Sequence, residues 1–70
     1  MKTLFKTIND VKLSFRLGNS ILVDTYNDPY SVTQYLYRLE RREIIYIWGE
    51  SNGYIHYVIN PSNSAIINYL

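Results

Sequence analysis

The dipeptide Asn52-Gly53 does most to limit the folds open to this chain. Asn-Gly is the strongest short-range signal for a two-residue hairpin loop, because both residues of a type I′ turn take positive φ. It stands between residues 43–49 and 54–60, two runs rich in Ile, Val, Tyr and Trp that suit strands. A two-residue loop pairs Ser51 with Tyr54. Counting back sets Trp48 opposite Tyr57, Ile47 opposite Val58 and Tyr46 opposite Ile59. One face then carries Ile44, Tyr46, Trp48, Ile55, Tyr57 and Ile59, and the other Ile45, Ile47, Gly49, Tyr54, His56 and Val58. Both faces are apolar, which marks strands that lie centrally in a sheet or are covered from outside the chain.

Upstream, Val11, Leu13, Phe15 and Leu17 alternate with Lys12, Ser14 and Arg16, which predicts a half-buried strand. Gly18-Asn19-Ser20 reads as a turn and residues 21–26 as the returning strand. A three-residue loop pairs Leu17 with Ile21 and Phe15 with Val23. A two-residue loop would put Asp24 on the apolar face, so the first register is preferred, although three-residue loops usually place Gly last. Asp28 and Pro29 read as the cap and first position of a helix running to Arg42. Val32, Tyr35, Leu36 and Leu39 form its apolar stripe, and Arg38, Arg41 and Arg42 sit at the end that favours cations. Residues 60–63 read as a turn and 64–70 as a last strand. Residues 1–8 fit either a helix, from the spacing of Leu4, Phe5, Ile8 and Val11, or a short strand. The expected architecture is a single α+β domain over residues 1–70. Its order is (β)ββαβββ: one largely antiparallel sheet with one helix packed across one face.

At 70 residues the core must be small, and without cysteine no disulfide or thiolate metal site can reinforce it. His56 is the only histidine, which removes His-rich metal sites and most hydrolytic triads. The three glycines are too far apart for a phosphate loop, and the six carboxylates fall mostly at turns and element ends. The expectation is therefore a non-enzymatic protein with no cofactor and no metal. Seven basic against six acidic residues leave +1, too small a net charge to point to nucleic acid and of the wrong sign for an acidic DNA mimic. The N-terminus, Met1 to Lys6, has a lysine where a signal peptide needs its apolar core, and the longest apolar run is Ile44 to Trp48, so a cytoplasmic protein with no membrane partner is expected.

Ile, Asn and Tyr fill 24 of the 70 positions. All three have AT-rich codons, which suits a viral, phage or mobile-element source. Tyrosine also covers interface area at low entropic cost. One helix cannot cover both faces of the aromatic hairpin, which leaves Ile45, Ile47, Tyr54, His56 and Val58 as a candidate protein interface. In that register the His56 ring is expected to pack over Gly49. The leading expectation is a small protein-binding module, a regulator or inhibitor that occludes a host protein; a homodimer would use the same patch. The alternative is a nucleic-acid binder using Arg38, Arg41 and Arg42 with Tyr37 to stack a base, strengthened if Lys2, Lys6, Lys12 and Arg16 fold to the same side. A third reading is a small-ligand pocket lined by Tyr35, Trp48 and Tyr57.

Overall fold

Thr7 and Asp10 decide how the described part of the chain begins. The computed structural model describes residues 7–70, so the expectations for residues 1–6, including Lys2 and Lys6, lie outside the described residues. The Thr7 hydroxyl accepts from the Asp10 N–H (3.1 Å), and the Asp10 carboxylate accepts from the Thr7 N–H (3.2 Å). This capping box satisfies two orphan donors and starts helix α1 (Ile8–Arg16). The strand expected over residues 11–17 is thus a helix. Val11 and Phe15, four apart, are buried, whereas Leu13 and Leu17 are 56% and 77% exposed. Gly18 explains the end. At φ +81° it lets its own N–H reach the Phe15 carbonyl and the Asn19 N–H reach the Ser14 carbonyl, a Schellman stop and not a hairpin loop.

Strand β1 (Ile21–Asp24) follows, then helix α2 (Tyr30–Arg41), strand β2 (Ile45–Ser51), strand β3 (Tyr54–Ile59) and a 3₁₀ segment (Pro61–Tyr69). An α+β class therefore holds, but the element order differs from the expected one. The helix spans the expected stretch and buries Val32, Leu36 and Leu39. Asp28 does not cap it. Its carboxylate accepts instead from the Asp24 N–H (2.8 Å) at the end of β1. The C-terminal strand is also replaced. Pro61 cannot donate to a ladder, and the side-chain amides of Asn60 and Asn63 both donate to the Glu43 carbonyl (2.8 and 2.7 Å). The chain turns back there as a kinked 3₁₀ run that buries only Ile67.

The sheet order is β1-β3-β2, with both pairings antiparallel. The two outer strands are parallel to one another, and α2 carries the chain between them. The Asn52-Gly53 turn is as expected, with φ of 51° and 84°, and a Cβ on Gly53 would collide with the ring of Tyr26. Pairing follows the two-residue loop through Ser51–Tyr54, Glu50–Ile55 and Gly49–His56, and then a bulge at Trp48 resets it. Ile47 lies opposite Tyr57, Tyr46 opposite Val58 and Ile45 opposite Ile59. The bulge puts the β-branched Ile45 and Ile47 on the same face as Tyr57 and leaves Tyr46 on the opposite one. The core joins that face (Ile21, Val23, Ile45, Tyr57) to Val11 and Phe15 of α1, the α2 stripe, Ile44 and Ile67.

The helical reading of residues 8–16 makes Phe15 and Leu13 unequal, where a strand would place them on one face. Phe15→Ala is expected to cost about 3–5 kcal/mol and Leu13→Ala under about 0.5 kcal/mol, both read from urea unfolding followed by circular dichroism.

Candidate functional site

All three helical segments belong to the core on one side of the sheet. The other face presents Leu22 of β1, Tyr46 of β2, and Tyr54, His56 and Val58 of β3, which alternate with the core residues. The five-residue patch expected from sequence is therefore split. Tyr54, His56 and Val58 do share this face, but Ile45 is 1% exposed in the core and Ile47 lies on the core side of β2. Leu22 and Tyr46 take their places. The signal for Leu22 was its alternation with Ile21 and Val23; Tyr46 depended on a bulge that local sequence does not encode. Trp48, the bulged residue, is 68% exposed at the sheet edge.

His56 lies opposite Gly49 as expected, but its ring does not cover the glycine. A Cβ placed at Gly49 meets no atom within 4 Å. The missing side chain leaves a shallow cavity of about 350 Å³ lined by Leu22, Gly49, Glu50, Ser51, Tyr54 and His56. A notch of that kind in an apolar surface can take one side chain of a partner.

The helical layer has a different chemistry. The five cationic side chains among the described residues are Lys12 and Arg16 on α1, Arg38 and Arg41 on α2, and Arg42 at its C-cap. None pairs with an Asp or Glu side chain within 4.0 Å among the described residues, while Arg16 donates to the Leu70 main-chain oxygen (2.6 Å). Tyr35, packed against the core, is the hub. Lys12 Nζ sits 5.9 Å from its ring centre. Burial raises the Tyr35 hydroxyl above its ordinary pKa, and the positive charges of Arg16 and Arg42 partly offset that. Arg41 donates to the Tyr37 hydroxyl (3.0 Å), with its guanidinium 5.7 Å from the ring centre. A cavity of about 450 Å³ is lined by Tyr35, Arg38, Leu39, Arg41 and Arg42. Of the cations that could reinforce the arginine cluster, the fold thus brings Lys12 and Arg16 to its side.

Asp24 and Asp28 are both buried and neighbours at the end of β1, an arrangement that an acid–base pair could use. Among the described residues their oxygens serve the loop. Asp24 accepts from the N–H groups of Tyr26 (3.0 Å) and Asn27 (3.3 Å) and from the Asn27 side-chain amide (2.6 Å), while Asp28 holds the Asp24 N–H. Among the described residues no three His, Asp or Glu side chains come together as metal ligands, and no helix is long and apolar enough to cross a membrane. Tyr35, Trp48 and Tyr57 do not form a common pocket. The cavities at Tyr35 and at Gly49 include neither Trp48 nor Tyr57, and Tyr57 belongs to the core.

Burial raises the Tyr57 hydroxyl as well, assisted by the negative charges of Glu40 and Glu50. A phenol held neutral in the folded state ionises first in the unfolded chain, so its stabilisation is complete below about pH 10 and is lost as pH rises through the folded value. Stability measured by urea titration should therefore fall above about pH 10, and Tyr57→Phe should make that alkaline limb shallower. No family model matches the chain, and no curated protein or solved structure shows significant similarity to it.

Proposed function

We propose that the chain is a protein-binding module, non-enzymatic, that docks through the sheet face turned away from the described helices. The observation that carries this reading is the make-up of that face: Leu22, Tyr46, Tyr54, His56 and Val58 around the Gly49 notch, with Trp48 at its edge. Tyrosine and tryptophan dominate interface hot spots because they desolvate large, semi-rigid areas while keeping one polar atom to pair. The cations of the described residues all lie on the helical layer, which leaves the sheet face with little charge to desolvate. Charge-poor, aromatic surfaces of this kind resemble the centre of protein interfaces. The partner is accordingly a protein with an apolar surface and one protruding side chain for the notch. Occluding such a surface is how a module this small would regulate or inhibit its target.

Two substitutions test the surface. Leu22→Lys combined with Tyr46→Glu puts opposite charges on exposed positions and leaves the core untouched. Gly49→Val fills the notch, where the added side chain has open space and suits a strand. Both proteins should keep the wild-type circular dichroism. A partner recovered with the wild-type chain and then purified should lose at least tenfold in affinity for each, measured by calorimetry. Wild-type affinity in both folded variants would overturn the reading. Light scattering settles whether the partner is a second copy, since a dimer on this face would become a monomer in the double variant.

A further inference from the structure

Net charge is a sum, whereas a binding surface depends on where charges lie. Lys12, Arg16 and Arg42 gather around Tyr35, and Arg38, Arg41 and Arg42 border one cavity with it; no Asp or Glu side chain is ion-paired to any of the five among the described residues, and Arg16 donates to the Leu70 main-chain oxygen. Asp10 is committed to the capping box. Glu40 lies towards the sheet, where its charge acts on Tyr57. Only at Arg41 do acidic groups border the patch, since Glu40 and Glu43 share a depression with it.

We infer that this helical face binds the phosphodiester backbone of a nucleic acid. Lys12 and Arg16 lie one turn apart on α1, as do Arg38 of α2 and Arg42 at its C-cap, a spacing of about 5–6 Å in each case. Charges in two rows suit a polyanion that runs along them; a lone phosphate or carboxylate would call for donors converging on one point. Tyrosine supplies the second element. Tyr37 is exposed beside Arg41, which donates to its hydroxyl, so a phenol face stands next to a guanidinium at the end of the patch. Aromatic rings interleaved with cations are what single strands use for stacking and backbone contact. Tyr35 has a different part: it packs on the core and holds Lys12 above its ring, which orders one of the cations. This surface lies on the helices and is independent of the sheet face proposed for protein binding.

The experiment is fluorescence anisotropy with a fluorescein-labelled oligonucleotide, as a single strand and as a duplex, across a range of monovalent salt. Each neutralised phosphate contributes about −0.7 to −0.9 to the slope of log affinity against log salt, so four contacts give about −3. Arg38→Glu with Arg42→Glu should weaken binding by about tenfold or more and reduce the slope by about 1.5. Neither side chain makes a hydrogen bond that the fold needs, and the neutral pair Arg38→Gln with Arg42→Gln gives the same direction with less risk to folding. Tyr37→Ala should weaken the single strand by about fivefold while leaving the slope unchanged. Leu22→Lys with Tyr46→Glu should leave oligonucleotide binding as it is, whatever it does to a protein partner. Three outcomes would overturn the inference: no binding of either probe at low salt, wild-type affinity in the folded arginine variants, or tighter binding to vesicles containing phosphatidylserine than to either probe.

Discussion

The rest of the structure depends on the packing of Val11, Phe15, Val32, Leu36 and Leu39 onto Ile21, Val23, Ile45 and Tyr57. Two short helices and one sheet face are what a chain of this size can bring together, since small domains bury a smaller share of their surface than large ones. The consequence is a sheet with one face in the core, and Leu22, Tyr46, Tyr54, His56 and Val58 lie on the face away from the described helices, Leu22 and Tyr46 exposed and the other three half-buried.

The layers divide charge as well as apolar area. The strands carry only Asp24 and Glu50 as acidic side chains and no Lys or Arg, and the described cations lie on the helices and at the α2 C-cap. Cations at the end of α2 complement the negative end of its dipole. Lys12 and Arg16 of α1 are four residues apart, which sets them one turn and about 6 Å from each other; the expected strand would also have put them on one face, but about 13 Å apart. The two proposed activities, protein docking on the sheet and phosphate contact on the helices, therefore use surfaces with opposite chemistry, and each can be altered without the other.

Two places show tertiary demands overriding local preference. Glu43 sits at φ 61°, a left-handed conformation that costs a residue with a Cβ about 1–2 kcal/mol. It serves as the stop for α2: its N–H reaches the Glu40 carbonyl and that of Ile44 reaches Leu39. Its own carbonyl receives two asparagine amides, from Asn60 and Asn63, which tie the end of the helix to the end of β3. The bulge at Trp48 is the other. Continuing the register of the turn would have sent Tyr46 and Trp48 towards the helices; one extra residue delivers Ile45 and Ile47 instead.

Much of this was legible in the residues themselves. Asn52-Gly53 specified its turn and the first three pairs beyond it, and the spacing of Val32, Leu36 and Leu39 specified a helix and its buried face, because these signals act within a few residues. The beginning of the chain was legible too, in Thr7, Asp10 and Gly18, but the alternation of Val11, Leu13, Phe15 and Leu17 argued for a strand. Caps outweigh that pattern here because they satisfy backbone groups directly, whereas alternation confers stability only when a partner strand is present. What tertiary structure alone decided was which face of β2 meets the core, and with it which half of the aromatic residues stays outside. It also decided that Lys12 and Arg16 join Arg38 and Arg42. Both depend on contacts between segments distant in sequence, whose energies come from shape and area in the assembled core.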